Sequence, residues 1–116
     1  MNADLHVHSV HSNDGKQTVA EILNECRVKN IGAVALTDYN EIGAWEDVGD
    51  VSDIIIIKGI EVTTSEGHIL AYGVDRLIPR NLPIKDTVDM IHEAGGIAVA
   101  AHPYRWWSGI GGENVD

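Results

Sequence analysis

His6-Val7-His8 sets two imidazoles at i, i+2, and on an extended backbone both leave the same face, so two ring nitrogens can converge on one cation. A His-x-His also occurs in ordinary strands, with one ring buried and one at the surface, so more ligands are needed. Glu61 follows the isoleucine-rich stretch Ile54 to Ile57 and then Gly59-Ile60, where a carboxylate without a counter-charge is costly even after relaxation. The only nearby basic residue, Lys58, falls on the opposite side of a strand. A metal is the better counter-charge. His102 caps the run Ile97 to Ala101 and is fixed in direction by Pro103. Asp14, in Ser12-Asn13-Asp14-Gly15, and His68, after Ser65-Glu66-Gly67, each read two ways, as turn residues or as further ligands. Imidazoles and carboxylates gathered from several strand ends suit divalent cations such as zinc or manganese.

The elements that must position these residues follow from the hydrophobic pattern. Ala3 to Val10 alternates as a strand, with Asp4, His6, His8 and Val10 on one side. Thr18 to Lys29 reads as a helix: Thr18 and Glu21 form a capping box, and Val19, Ile22, Leu23 and Cys26 form one apolar stripe. Gly32 to Thr37 is nearly continuously apolar, which suits a strand covered on both faces, and Asp38, Tyr39 and Asn40 follow at its carboxyl end. Ile54 to Val62 and Ile69 to Val74 read as strands joined by a polar turn over Ser65 to His68. Ile84 to Ala94 is a helix ended by Gly95-Gly96, and Ile97 to Ala101 is a last strand. His92 lies off the apolar stripe and reads as a surface residue. Strands alternating with helices imply an α/β architecture, with functional residues at the carboxyl ends of strands.

With these pieces in place, Asp4-Leu5-His6-Val7-His8-Ser9, Ser12-Asn13-Asp14-Gly15, Leu36-Thr37-Asp38-Tyr39-Asn40, Gly59-Ile60-Glu61 and Ala101-His102-Pro103 resemble, in that order, the motifs of the polymerase and histidinol phosphatase (PHP) family of metal-dependent phosphoesterases. The resemblance implies one cation held by His6, His8 and Glu61, with Glu61 bridging to a second held by His68 and His102. Asp14 would serve a third, so two or three divalent ions (zinc, manganese or iron) are implied. It also implies that Asp38 orients a ligand histidine from behind, and that Arg105 grips a phosphate oxygen; Arg105 otherwise reads as a surface residue of the tail. Tyr39 stands where the family usually has a histidine ligand for the third cation, and a phenol ligates poorly at neutral pH. His11 either substitutes for it or is a solvated loop residue. Trp106 and Trp107 either stack on a substrate ring or pack on the exterior.

PHP proteins are distorted barrels of seven strand-helix units, (β/α)7. The resemblance covers the amino-terminal portion of such a barrel, without the late Asp-x-His motif, so one partial domain over residues 1–116 is expected, with a parallel-sheet edge left open. A truncated product, or subunits that complete one another as a homo-oligomer, would account for it. The implied activity is hydrolysis of a phosphate ester of a small metabolite, nucleotide or short oligonucleotide by metal-activated water. Two rivals stay open: a non-catalytic metal-binding or accessory module, and a hydrolase of amide or lactone bonds using the same cations.

Composition narrows the field. The chain has 116 residues, 44% of them hydrophobic and 22% charged, which is ordinary for one folded domain. Eight basic against eighteen acidic residues give a formal net charge of −10, the wrong sign for holding nucleic acid through a basic patch. Cations in the site would still attract a substrate phosphate. Cys26 is the only cysteine, which excludes an internal disulfide and a cysteine zinc cluster and fits a buried thiol. No apolar run approaches the roughly 20 residues of a membrane span. The amino terminus lacks the pattern of a secretory leader, so a cytoplasmic location is expected.

Overall fold

A computed structural model of the chain describes residues 2–101. His102, Arg105, Trp106 and Trp107, and the expectations that rest on them, lie outside the described residues. Strands β1 (Asn2–Val7), β2 (Ile31–Leu36), β3 (Ile55–Thr64), β4 (Gly67–Tyr72) and β5 (Ile97–Ala100) alternate with helices α1 (Val19–Val28), α2 (Gly43–Asp47) and α3 (Ile84–Glu93). The strands form one sheet in sequence order.

Helix α1 begins where the sequence says it should. The Thr18 side chain accepts from the Glu21 N–H, and the Glu21 side chain accepts from the Thr18 N–H, which satisfies two donors that a helix start leaves open. Its stripe of Val19, Ile22, Leu23 and Cys26 is buried against Val34 and Leu36 of β2. Asn30, with φ of 56°, turns the chain back into β2. Helix α3 covers the other half of the sheet, where Ile91 and Ala94 pack with Ile60, Val62, Ile69 and Ala71. Gly96 is required at its end, because a Cβ there would lie 2.7 Å from the Tyr72 carbonyl oxygen and 2.5 Å from Val74 Cγ1.

β1, β2 and β3 are parallel, whereas β3 with β4 and β4 with β5 are antiparallel. The expected parallel edge is therefore found at β1 only. The other half departs because β3 and β4 are joined by a tight turn, which leaves no room for the crossover that parallel strands require. Thr64 closes that turn, with its hydroxyl donating to the Gly67 carbonyl at 2.7 Å and accepting from the Glu66 N–H at 3.1 Å. The sheet curls into a partial barrel. The Tyr72 hydroxyl on β4 reaches past β2 and β3 to donate to the Leu5 carbonyl on β1, at 2.7 Å.

Some features differ from the sequence reading. The first strand stops at Val7 instead of running to Val10, because the Ser12 N–H bonds the Ser9 carbonyl and the Val10 N–H bonds that of Gln17, folding the segment into a loop. His68 lies on β4 opposite Thr63, not in the turn. The short helix α2 carries no apolar periodicity and was not expected; Trp45 ties it to β3 by donating from Nε1 to the Gly59 carbonyl at 3.0 Å. Among the described residues no helix is long and apolar enough to cross a membrane.

Candidate metal centre

The site grows from one side chain. Glu61 lies on β3 with 0% of its surface exposed. Its Oε1 is 2.7 Å from His6 Nε2 and 2.8 Å from His8 Nε2, and its Oε2 is 3.2 Å from His68 Nδ1. One imidazole comes from the end of β1, one from the loop after it and one from β4, so the curl of the sheet brings the three together. Burial pushes the Glu61 pKa up, but the hydrogen bonds from His6 and His8, and their charges, outweigh it and hold the group below the ordinary glutamate value. The centre of the site is therefore an anion at neutral pH.

Ligand atoms of His6, His8 and Glu61 lie within 4.8 Å of one another. Two imidazole nitrogens and a carboxylate oxygen form the donor set of a borderline divalent cation such as zinc. The back of His8 supports that use. Its Nδ1 is 2.9 Å and 3.1 Å from the two carboxylate oxygens of Asp14, so with an Nδ1–H donated there, Nε2 is the nitrogen presented to the cluster. Asp14, expected to ligate a further cation, contacts the back of His8.

Asp38, expected to orient a ligand histidine, holds the loop that carries His8. Its carboxylate accepts from the Ser9 N–H at 2.5 Å, the Ser9 hydroxyl at 2.6 Å and the Ser12 hydroxyl at 2.8 Å. The group is 1% exposed, and three neutral donors supply the hydrogen bonds that a buried carboxylate needs. The consequence is indirect but useful: Asp38 pins the loop that begins with His8 onto the end of β2. Ser12 continues the chain of contacts, accepting from the Tyr39 N–H at 2.9 Å.

Tyr39 sits inside the site. Its ring centroid is 4.4 Å from that of His8 and 5.4 Å from that of His68, so the phenol ring neighbours both imidazoles. The backbone around it is strapped to β3: the Glu61 N–H donates to the Asp38 carbonyl at 2.9 Å and the Asn40 N–H donates to the Glu61 carbonyl at 3.0 Å. Asn40 then takes φ of 51° and clamps Thr63 with both side-chain atoms, donating to its hydroxyl and accepting from its N–H, each at 2.9 Å. His11 is turned outward instead, with Nε2 2.6 Å from Asp47 of α2. His92 is exposed on α3. The sequence reading missed Ser9, Ser12, Asn40 and Tyr72 as supports of the site. Serine and asparagine carry no spacing signal for such a role, and the reach of Tyr72 to Leu5 depends on the curl.

The sequence profile of the PHP domain matches residues 4–98. An uncharacterized protein of Methanocaldococcus jannaschii is 34% identical over 117 residues, covering 90% of this chain and 68% of that protein. A second from the same organism is 28% identical over 104 residues, covering 90% of this chain and 40% of its own length. Among solved structures, an amidohydrolase from Chromobacterium violaceum, with sulfate bound and no metal, superposes with a TM-score of 0.58 at 32% identity over 65% of this chain and 28% of that one. A protein of Bifidobacterium adolescentis, proposed to be a metal-dependent phosphoesterase, gives a TM-score of 0.59 at 23% identity over 80% of this chain and 32% of that one. This chain thus spans only part of the length of each. The profile match begins in β1 and runs into β5, through the whole sheet that carries Glu61 and its histidines, and the chain belongs to the PHP domain family.

Proposed function

We propose that the protein is a metal-dependent phosphoesterase that hydrolyses a phosphate ester of a small metabolite, nucleotide or short oligonucleotide with water as the attacking group. The observation that carries the reading is the buried Glu61 carboxylate shared by His6, His8 and His68, a donor set of the kind that holds a divalent cation. His6, His8 and Glu61 would hold one divalent ion, with His68 and the expected ligand His102 extending the site to a second. Such ions supply Lewis-acid polarisation of the phosphoryl group and bring the pKa of water towards neutrality. The chain's own residues do the rest. Asp14 holds the tautomer and direction of His8, Asp38 and Ser12 fix the loop that carries it, and Arg105 is proposed to hold a phosphate oxygen in bidentate fashion.

Membership of the PHP family supports this reading, as does the phosphoesterase proposed for the Bifidobacterium adolescentis protein. The sulfate in the Chromobacterium violaceum structure is a tetrahedral oxyanion like phosphate. The name of that same protein favours the rival in which an amide or lactone bond is cleaved, and Tyr39 at the histidine position favours a non-catalytic module. One experiment separates them: release of nitrophenolate from 4-nitrophenyl phosphate with manganese present, run beside a lactone and an amide substrate. The phosphoesterase reading predicts turnover of the phosphate ester that His6→Ala abolishes in a folded protein. Turnover of the other substrates alone, or tight metal binding without turnover, would select a rival.

A further inference from the structure

Beside the metal cluster opens a cavity of about 420 Å³, within the size range of small-molecule sites. His68, Tyr39, Asn40, Thr63 and Arg80 are among the residues that line it. Arg80 stands apart from the other described arginines. Arg27 is bound to Asp53 at 2.6 Å and Arg76 to Asp75 at 2.7 Å, whereas Arg80 has no carboxylate partner among the described residues, in a chain with eighteen acidic groups. Its position is fixed on both sides. Ile78 is buried, and the Asn81 N–H donates to the Thr63 carbonyl at 2.7 Å with Asn81 held at φ of 66°. Thr63 is two residues past Glu61 and pairs with His68 across the hairpin, so the anchor of Arg80 is the same strand end that carries the cluster. The acid in the cavity lining, Glu41, is turned to the Gly43 N–H at 3.3 Å.

An exposed arginine with anchored flanking backbone, on a cavity that also reaches His68 beside Glu61, has the donors for a second anionic group on the molecule whose phosphate sits at the cluster. The geometry points to Arg80 as a specificity residue that selects phosphate esters carrying a second anion, a carboxylate or a further phosphate, a few bonds away from the scissile group. This rests on the phosphoesterase reading for the identity of the first anion. It adds a substrate class to it.

Non-hydrolysable phosphonates test the assignment without needing turnover. Calorimetric titration of the manganese-loaded wild-type chain with 4-phosphonobenzoate and with phenylphosphonate should show the carboxylated compound bound at least about tenfold more tightly, the value of one charge-assisted contact. Arg80→Ala should bring that ratio close to one, and Arg80→Lys should restore part of it. A wild-type ratio near one, failure to bind either compound, or a ratio that Arg80→Ala leaves intact would overturn the assignment. Turnover is read separately with 4-nitrophenyl phosphate and with 4-carboxyphenyl phosphate: its absence with both would remove the phosphoesterase reading while the phosphonate ratio still decides the role of Arg80.

Discussion

A carboxylate with no exposed surface remains an anion only where its surroundings offset the lost hydration. At Glu61 the surroundings are imidazoles, and the neutral form of each can offer a nitrogen lone pair to a metal, any proton there going to solvent. His8 is the one whose direction is fixed from behind, so Asp14→Ala is expected to leave the fold intact and weaken zinc or manganese binding by roughly 10- to 100-fold, read by competition with a chelating dye. An unchanged affinity would mean that the Asp14 contact is incidental. The centre was legible in the sequence for a physical reason: an acid placed after a run of isoleucines demands a partner, and His-x-His on a strand announces a shared direction. The partner of Asp38 was not legible. A buried carboxylate can be satisfied by any three donors, and Ser9 and Ser12 give no hint that they are the ones.

At the scale of elements, the site depends on how the end of β2 is tied to β3. Asn40 does this from a left-handed conformation that most side chains resist, while its amide replaces two backbone-like contacts to Thr63. Asn40→Ala should cost about 2 kcal/mol in urea unfolding, and Asn40→Gly, which relieves the backbone but not the lost hydrogen bonds, about half of that. A second tie joins the loop after His8 to α2. The hydrogen bond from His11 to Asp47 leads the causes that raise the His11 pKa above its ordinary 6.5, so this contact stabilises the fold fully below that value and fades as pH rises through the elevated one. Comparing wild type with Asp47→Asn should show a difference of at most about 1 kcal/mol at pH 6 that shrinks towards pH 8.5. A difference that grows with pH would contradict it. Helix α1 could be read to its cap because its signals are local. The hairpin of β3 and β4 could be read as well, since so short a polar turn leaves no room for a crossover, whereas the antiparallel pairing of β4 with β5 could not.

Across the whole molecule, the apolar core falls into two clusters, one under α1 and one under α3, and the proposed ligands draw on β1, β3 and β4 together. A cation bound there links the two halves, so manganese at about 100 times its dissociation constant should raise the melting temperature by about 10 °C, as the linkage of binding to folding requires. An equal rise in His6→Ala would place the binding elsewhere. The architecture was legible as alternating strands and helices and the curl through the resemblance to part of a barrel; the contact of Tyr72 with Leu5 was not, because no residue pattern states it.

The most direct test of the metal centre is elemental analysis of the chain after loading with zinc or manganese and exhaustive dialysis, with Glu61→Gln treated in parallel. The wild-type protein should retain at least one divalent ion per chain, and Glu61→Gln should retain far less while keeping its circular dichroism. Wild-type protein that emerges without metal, or a Glu61→Gln protein that holds as much, would contradict the assignment of Glu61 as the centre of a metal site.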